Sequence, residues 1–560
     1  MILTSLILVP LVFAVLVGLM HEKHARPLAL TGNLITLAMT LLMLVQFPWG
    51  VGGGAFEFES NLEWMPSLGL SFRLGVDSLA ASLIALTALL GPICVVASKT
   101  AITNRIKTYF SWLLVLQAAM FGVFAARDLV LFYICFEFTL VPMFILISLY
   151  GSTNRKAASV KFFLYTFTGS MVALAGLVYV AWKCAIANNG QWTFDLDALQ
   201  YAASHMTPGQ QSWVLLALMA GFAVKVPLFP LHTWLPLAHT EAPTAGSVIL
   251  AGVLLKLGTY GILRFAIPYC PMAFIENAPL IATLCIVGIL YGGLICWVQT
   301  DVKKLVAYSS VAHLGFCVLG LAALNKIGIT GSVLYMINHG LSTGALFLCI
   351  GMVYERHHTR SMKELGGLAA HMPVWSTFMV FFVMASVGLP GLNGFVSEFM
   401  CLMGTFQSSS AWGSSGLWTT TGGLTGGEVP GATPGELGPW YAAIAGIGMI
   451  VAAMYLLYMT GKIVWGPLVL PHHDSHAGGH GDAHAAHGPL PKDLCFREIG
   501  TLVPLAALCL ILGVYPQPLI DALDGPITRV TERVQNAREL VTTAHAPAAG
   551  APALASEDQK

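Results

Sequence analysis

Six ionisable side chains lie inside long apolar runs of this sequence. They are two carboxylates, two ammonium groups and two imidazoles: Glu137, Lys225, Lys256, His313, His339 and Glu398. An ionisable group in the hydrocarbon core of a membrane costs about 2.5 to 3.5 kcal/mol, so it usually faces protein or water and serves a function. A spaced series of groups that gain and lose protons is what a proton relay requires.

The alternative for these residues is a purely structural role. Buried ion pairs could fix the helices against one another, and a hydrogen-bonded interior imidazole explains either histidine as well as a relay does. Side chains that only join membrane helices are more often Ser, Thr, Asn or Gln, which cost less to bury. Six ionisable groups spread over six apolar runs therefore favour a relay over packing alone.

The composition places these residues in a membrane protein. Of the 560 residues, 56% are hydrophobic and only 10% are charged, with 27 cations against 27 anions, whereas soluble domains carry about 25% charged residues. This balance excludes a basic nucleic-acid-binding protein and a disordered chain. The 11 cysteines are scattered without a Cys-x-x-Cys pair, so the sequence indicates no zinc site, iron–sulfur cluster or disulfide framework.

Fourteen apolar runs are long enough to cross a bilayer core of roughly 30 Å, which predicts an all-α polytopic membrane protein. The first run has no preceding cation and no small-x-small cleavage site, so we expect a retained helix rather than a signal peptide. The predicted spans, numbered in chain order, are residues 2–20, 28–47, 79–98, 109–126, 129–149, 161–182, 213–231, 243–266, 279–299, 303–324, 332–353, 373–406, 440–465 and 499–515.

The distribution of Lys and Arg between the loops predicts the orientation. Loops that follow odd-numbered spans hold most of the cations outside the spans, so the positive-inside rule places these loops in the cytoplasm and both termini outside. We therefore expect a multi-pass protein of a bacterial inner membrane with periplasmic termini. The cations of the C-terminal tail, including Arg529 and Arg533, are an exception to this pattern.

Two of the predicted spans contain helix-breaking residues. In span 7, Pro227 and Pro230 follow Lys225, and each proline lacks a backbone donor and blocks the preceding turn. In span 12, Gly388-Leu-Pro-Gly391 precedes Glu398. Broken spans at corresponding places in two halves indicate an inverted-repeat transporter, while a simple proline kink remains the alternative for each span alone.

A faint internal repeat supports two related halves. The dipeptide Leu129-Val130 precedes Glu137 by the same offset that separates Leu305-Val306 from His313. The sequence thus predicts two inverted five-helix repeats with discontinuous helices 7 and 12. The predicted regions are N-terminal helices 1–3 (1–100), the first repeat (109–266), the second repeat (279–465), a His-rich cytoplasmic loop (470–497), helix 14 (499–515) and a C-terminal tail (524–560), which begins with a possible amphipathic stretch at 527–541.

The His-rich loop has two interpretations. Six histidines fall within residues 472–487, and several are spaced by four, which on a helix would align imidazoles for a divalent metal. However, Gly478, Gly479 and Gly481 disfavour a helix. A flexible insertion without a metal is the preferred interpretation, because loops tolerate such changes.

Three long motifs resemble the antiporter-like subunits of respiratory complex I. They are residues 221–265, which include Gly-Phe-Ala-Val-Lys-Val-Pro and Ala-His-Thr-Glu-Ala-Pro, residues 301–315, and residues 388–399. The resemblance covers about residues 70–465. Within that family, Glu398 and the total of 14 spans resemble the M branch, the counterpart of mitochondrial subunit 4. One departure is Leu237, where many members have Asp. Whether this position caps a helix or admits protons, as the Asp of those members could, is therefore left open.

The resemblance implies a proton path in the plane of the membrane. Glu137 would pair with Lys225 on the broken span 7, and Lys256 would be the central carrier. Glu398 on the broken span 12 would be the terminal group that releases protons to the outside. His313 and His339 would contribute to the hydrated line between these groups.

The resemblance also implies where the cofactors and partners are. This chain would hold no cofactor or metal, while NADH, FMN, iron–sulfur clusters and quinone would bind other subunits; no Gly-x-Gly-x-x-Gly follows a predicted strand. The expected partners are other complex I subunits, especially the neighbouring antiporter-like subunits L and N, and the lipid bilayer, with no nucleic acid. Alternatives are a subunit of a multi-subunit cation/proton antiporter or membrane-bound hydrogenase, and a structural scaffold. We expect Lys in place of Glu398 in the antiporter relatives.

Overall fold

The chain folds into a bundle of long helices. The computed structural model describes residues 1–49, 56–408, 437–469 and 492–545. The helices are α1 (Ile2–Leu19), α2 (Glu22–Gln46), α3 (Ser78–Ala101), α4 (Ile106–Ala125), α5 (Leu129–Tyr150), α6 (Arg155–Ala187), α7 (Leu196–Ser204), α8 (Pro208–Lys225), α9 (Leu235–Glu241), α10 (Thr244–Tyr269), α11 (Pro271–Trp297), α12 (Val302–Ala322), α13 (Lys326–His357), α14 (Pro373–Val387), α15 (Asn393–Gln407), α16 (Pro439–Ile463), α17 (Phe496–Val514) and α18 (Gln517–His545). Short 3-10 turns occupy Pro66–Leu68 and Leu368–Ala370.

Twelve helices within the described residues are long and apolar enough to cross a membrane. They coincide with 12 of the predicted spans, and the two remaining predicted spans, 7 and 12, are the ones in which the sequence predicts an interruption. The total of 14 crossings and the inverted relation between two repeats stay predictions. The fold is thus the predicted polytopic helical membrane protein.

The helices that carry the central ionisable residues lie in the middle of the bundle. The apolar windows of α10 and α13 are buried along their whole length, and that of α12 is nearly so, whereas α1 and α17 are largely exposed at the periphery. The exposed helices present apolar side chains outward, as a lipid-facing surface requires. Lys256, His313 and His339 are therefore surrounded by protein rather than by lipid.

The interruption of predicted span 7 is confirmed. Helix α8 ends at Lys225, and the chain is not helical again until Leu235, because Pro227 and Pro230 have no N–H to donate to the preceding turn. The carbonyls freed by the break need other donors, and the Trp234 indole donates a hydrogen bond of 2.9 Å to the carbonyl of Val224.

The interruption of predicted span 12 is also confirmed. Helix α14 ends at Val387, and Gly388 adopts a left-handed conformation with φ of 82° before α15 begins at Asn393. This conformation is costly for residues with a Cβ. A Cβ at Gly388 would also lie 2.6 Å from Glu398 Oε2. The glycine therefore both ends the first half-helix and gives the carboxylate its space.

Helix α10 contains two π-helical segments that the sequence did not predict. They are Leu250–Leu254 and Ile262–Ala266, on either side of Lys256. Such segments are rare and often occur at functional sites, because they shift carbonyls out of the regular ladder. The Lys256 ammonium donates a hydrogen bond to the carbonyl of Ala251 within the first segment.

Two elements modify the all-α expectation. Strands β1 (Glu57–Met65) and β2 (Leu70–Val76) form an antiparallel hairpin, with Asn61 opposite Arg73.

The predicted amphipathic stretch 527–541 is part of the longer helix α18, which packs across α3, α11 and α13. Lys326 at the start of α13 forms an exposed ion pair with Asp524 of α18. The histidines of the His-rich loop lie outside the described residues.

Candidate functional site

The six candidate residues fall into two groups within the bundle. The Glu137–Lys225 group lies between α5, α6 and the end of α8, and the Lys256–Glu398 group lies between α10, α12, α13 and α15. Five of the six residues are buried, and Glu137 is half-buried. The structure therefore brings the candidates together in two sets rather than in one uniform line.

In the first group, the two charged residues have different hydrogen-bond partners. Ser170 on α6 donates a hydrogen bond of 2.8 Å to Glu137 Oε1. The Lys225 ammonium donates one of 3.4 Å to the hydroxyl of Thr139 and lies 4.6 Å from the centroid of the Phe136 ring. The expected Glu137–Lys225 pair is thus not a direct ion pair, since no carboxylate–ammonium contact within 4.0 Å joins these two described residues.

The hydrogen bonding of α5 is interrupted at Thr139, the partner of Lys225. The helix consists of two halves, Leu129–Phe138 and Leu140–Tyr150, because Pro142 has no N–H to bond the carbonyl of Phe138. Thr139 forms the junction and donates from its hydroxyl to the carbonyl of Phe136 at 2.8 Å. Its hydroxyl oxygen therefore remains free to accept from the lysine.

In the second group, Lys256 contacts a histidine directly. Its Nζ lies 2.7 Å from Nδ1 of His339, and its other partner is the carbonyl of Ala251. When Lys256 is protonated its ammonium only donates, and His339 then accepts at Nδ1 and carries its proton at Nε2. No carboxylate lies within ion-pair distance of Lys256 among the described residues, and the side chain is fully buried.

A tyrosine joins the other histidine to the carboxylate. The hydroxyl of Tyr335 donates to Glu398 Oε1 at 2.7 Å and lies 2.7 Å from Nδ1 of His313. Because the hydroxyl has one hydrogen and gives it to the carboxylate, His313 donates to the tyrosine oxygen from Nδ1. His313 Nδ1 also lies 3.4 Å from Glu398 Oε1.

Helix α15 is tied to α13 by two asparagines. Asn338 donates from its amide to the carbonyl of Asn393 at 2.7 Å, and Asn393 donates to the carbonyl of Asn338 at 3.2 Å. Asn338 also donates to the hydroxyl of Ser397 at 3.2 Å. These bonds fix the start of the second half-helix one turn away from Glu398.

A small polar cavity lies between the two histidines. Their ring centroids are 5.9 Å apart, and the cavity of about 10 Å³ is lined by both rings and by Glu398. This is about the space that one water molecule needs. Several buried atoms around it have no hydrogen-bond partner: His313 Nε2, His339 Nε2, Asn338 Oδ1, Ser386 Oγ and Glu398 Oε2.

A close approach of two helices connects the groups. A Cβ on Gly258 of α10 would lie 3.0 Å from the Cβ of Lys225 and 2.9 Å from the backbone nitrogen of Val226. Only a glycine lets α10 and the end of α8 come this close without a backbone shift. The helix of Lys256 is therefore packed directly against the broken end that carries Lys225.

Sequence reasoning missed two residues that belong with the candidates. Tyr335 is not among the ionisable candidates, and its contacts depend on α12, α13 and α15 meeting at one point. His239 of α9 is fully buried, stacks 4.7 Å from Phe347, and has no partner for either ring nitrogen. It lies in the Ala-His-Thr-Glu-Ala-Pro motif and within electrostatic reach of Lys256 and Lys303.

The described residues contain no group of three His, Cys, Asp or Glu side chains placed to hold a metal ion. What they can do is hold and transfer protons. Fold and site together define a polytopic membrane protein in which two sets of ionisable and hydroxyl side chains lie between broken and buried helices.

Comparison with known proteins agrees with this class. A family profile described as NADH:quinone oxidoreductase/Mrp antiporter, TM, matches residues 126–425. NADH-quinone oxidoreductase subunit M of Rhodobacter capsulatus is 39% identical over 521 residues, which are 92% of this chain and 91% of that protein. NADH-ubiquinone oxidoreductase chain 4 of Chondrus crispus is 37% identical over 538 residues, 96% of this chain and 98% of that protein.

A solved structure gives the same result. A chain of respiratory complex I from Thermus thermophilus with bound NADH superposes with a TM-score of 0.78 at 27% identity and covers 95% of this chain and all of that one. The chain belongs to the NADH:quinone oxidoreductase/Mrp antiporter transmembrane family. The expected resemblance to subunit M and to its mitochondrial counterpart is confirmed.

Proposed function

We propose that this chain is a proton-translocating membrane subunit of an NADH-quinone oxidoreductase, and that protons move through the Glu137–Lys225 and Lys256–Glu398 groups. The names of its relatives support the assignment to that complex. The observation that carries the proposed path is the contact series from Lys256 to His339, across a polar cavity to His313, and through Tyr335 to Glu398.

The second group supports transfer of a proton towards Glu398. A proton that reaches His313 can leave from Nδ1 to the tyrosine oxygen while the tyrosine hydroxyl passes its own proton to Glu398 Oε1. Both donor–acceptor distances are 2.7 Å, which is a good hydrogen-bond length for proton transfer. Between His339 and His313, a water molecule in the polar cavity would complete the connection, since its lining offers the partners that a buried water needs.

The first group is suited to control rather than to direct transfer. Glu137 and Lys225 bond to separate hydroxyls, so a small movement of the carboxylate changes its distance to the ammonium. The interaction of two charges is large in a low-dielectric interior. Moving the Glu137 charge therefore changes how strongly Lys225 holds its proton.

Redox chemistry would take place in other subunits. In this proposal NADH, FMN, iron–sulfur clusters and quinone bind partner proteins, and the neighbouring antiporter-like subunits L and N adjoin this chain. The protein resides in a bacterial inner membrane, with protons leaving near Glu398 to the outside. The Lys and Arg distribution between loops supports that orientation.

Membership of the complex is tested by purification from the native membrane. The tagged chain, extracted in mild detergent, should co-purify with NADH-oxidising activity, bound flavin and iron–sulfur absorption. Co-purification with only cation/proton antiporter subunits, or with a hydrogenase and no NADH oxidation, would contradict the assignment.

The proton path is tested with Lys256→Ala in the assembled complex. We expect proton pumping and coupled quinone reduction to fall by about 100-fold, the lower end of the contribution of a positioned proton-transfer group. Lys99→Ala, which removes an exposed lysine at the end of α3, is the matched control. Normal pumping in an assembled Lys256→Ala complex would refute the path and leave a scaffold role.

A further inference from the structure

A separate cluster of cations lies at one end of the bundle. A cavity of about 90 Å³ is lined by four arginines: Arg127 between α4 and α5, Arg264 in α10, and Arg529 and Arg533 in α18. Among the described residues of that lining, Asp197 is the only acidic one. Three segments far apart in the sequence thus place their guanidinium groups around one space.

One phenyl ring marks the centre of the cluster. The Arg127 guanidinium carbon lies 3.3 Å from the centroid of Phe56. Those of Arg264 and Arg529 lie 5.4 and 5.5 Å from the same centroid. Cation–π contact stabilises each cation, but three like charges around one ring repel one another.

The described carboxylates do not balance these charges. Arg127 pairs with Asp197, and Arg264 pairs with Asp77, whose second oxygen lies 3.8 Å from Arg529. Two carboxylates therefore face four arginines. The Nε atoms of Arg127 and Arg264 are buried without a partner.

The remaining arginine, Arg533, lies within electrostatic reach of Asp197 and bonds to a neutral side chain. With its amide oxygen turned towards α18, Gln200 accepts from Arg533 Nη1 at 2.6 Å and from Nε at 3.1 Å. Burial lowers the pKa of Arg529, Asp77 and Asp197 raise it, and the guanidinium groups of Arg264 and Arg127 lower it. A further anion in the cavity would relieve this excess of positive charge.

Apart from the arginines, the lining combines polar side chains, among them Gln200 and Tyr269, with apolar ones. The apolar ones include Phe132 of α5 and Phe265 of α10. Phe132 belongs to the buried face of α5, and the opposite face of the same helix exposes Ile134 and Phe138, as a lipid-facing helix does. A soluble anion would contact only the cations, whereas an anionic amphiphile can contact the cations with its headgroup and the apolar side chains with its hydrocarbon part.

We propose that this cavity binds the phosphate headgroup of an anionic phospholipid, with the acyl chains lying along α5. The cavity is large enough for a group the size of several water molecules. The Lys and Arg bias predicts that its segments all lie on the outer side, so the lipid belongs to the outer leaflet. The site also accounts for Arg529 and Arg533, two cations that the positive-inside rule does not expect on the outer side, because their role is to bind a ligand.

The site is tested in the whole complex reconstituted in nanodiscs of phosphatidylglycerol or of phosphatidylcholine. Cryo-electron microscopy of the phosphatidylglycerol sample should show a headgroup between the four guanidinium groups with acyl density along α5, and the phosphatidylcholine sample should not. Equal density in both samples, an empty cavity, headgroup density without acyl chains in phosphate buffer, or a segment of a neighbouring subunit in the cavity would each overturn the proposal.

Variants of α18 measure the contribution of the cations. Arg529→Gln combined with Arg533→Gln should lower the affinity for spin-labelled phosphatidylglycerol at this site by about 25-fold, about fivefold per cation removed. The charge-preserving pair Arg529→Lys and Arg533→Lys should retain most of the binding and shows that α18 still folds. Loss of binding in both pairs, or in neither, would overturn the proposal.

A matched control removes two cations outside the cavity. Lys183 lies beside Trp182, and Lys326 pairs with Asp524 of α18, so Lys183→Gln with Lys326→Gln tests bulk charge and the anchoring of α18. We expect unchanged phosphatidylglycerol affinity at the site. An equal loss in this control would overturn the proposal. None of these readouts uses proton pumping, so they are independent of the proposed proton path.

Discussion

The two groups of ionisable residues differ in how their charges are connected. In the Lys256–Glu398 group, each functional side chain contacts the next or faces it across a cavity the size of one water molecule. In the Glu137–Lys225 group, the two charges bond to separate hydroxyls, Ser170 and Thr139. One group is arranged for transfer, and the other is arranged so that a small displacement changes an electrostatic interaction.

The difference follows from where each group meets a broken helix. Glu398 lies five residues inside α15 and is held by the asparagine bonds to α13. Lys225 is the last residue of α8, and Glu137 lies two residues before Thr139, where the hydrogen bonding of α5 is interrupted. Side chains at helix ends have fewer backbone constraints than those inside a packed helix, and such ends are where motion concentrates.

The largest effect is expected for Glu398→Gln in the transfer group. The amide cannot take up and release a proton as the carboxylate does, so pumping should fall about 100-fold. The measurement is proton uptake into proteoliposomes during NADH oxidation. Glu276→Gln, which removes an exposed carboxylate of α11, is the control. Retained pumping in assembled Glu398→Gln would remove this residue from the path.

A somewhat smaller effect is expected for Glu137→Gln. Loss of a charged hydrogen-bonded group costs about 2 kcal/mol, which corresponds to about a 30-fold loss of pumping. Glu137→Asp keeps the charge and should stay within about threefold of the unmodified protein. If both variants pump normally, Glu137 is a packing residue and the contrast between the groups disappears.

The break in span 12 is probed by Gly388→Ala. A residue with a Cβ at this φ costs about 1 to 2 kcal/mol, and the new methyl would displace Glu398 Oε2. We expect pumping to fall about tenfold while the complex still assembles. Gly446→Ala on α16 is the control, because a Cβ there meets nothing within 4 Å. An equal effect of both substitutions would show that the space beside Glu398 is unimportant.

The smallest effect is expected for Tyr335→Phe. The bridge is lost, but His313 Nδ1 already lies 3.4 Å from Glu398 Oε1 and can bond it directly after a small shift. Loss of one hydrogen bond of about 0.5 to 1.5 kcal/mol corresponds to about a twofold to tenfold fall in pumping. Tyr291→Phe, at an exposed tyrosine of α11, should have no effect. A loss as large as that of Glu398→Gln would make the tyrosine an obligatory carrier.

Local chemistry explains which features were predictable. Proline and glycine act on their own turn, so Pro227 and Gly388 predicted the two breaks correctly. Helix starts were similarly predictable, because Asp128 and Asp301 each accept from backbone N–H groups two and three residues later. No residue type in the sequence marks the π-helical segments of α10 or the β-hairpin in the way that proline and glycine mark a helix break.

Contacts between distant residues were not predictable in the same way. Lys256 and His339 are 83 residues apart, Tyr335 and Glu398 are 63 apart, and Lys225 meets Thr139 across 86 residues. Their meeting depends on the rotation and depth of whole helices. The pairing of Glu137 with Lys225 stays a prediction: no contact within 4.0 Å joins these two described side chains, and each has a hydroxyl beside it.

The sequence by itself determined that this is a helical membrane protein and which buried groups can hold protons, because hydropathy and ionisation belong to residue types. It also determined the two broken helices, since proline and glycine act on nearby backbone. Tertiary structure alone decided the partners: the tyrosine bridge, the separation of Glu137 from Lys225 and the arginine-lined cavity. The physical reason is that hydrogen bonds and ion pairs form over about 3 to 4 Å, a distance that only the packing of helices sets.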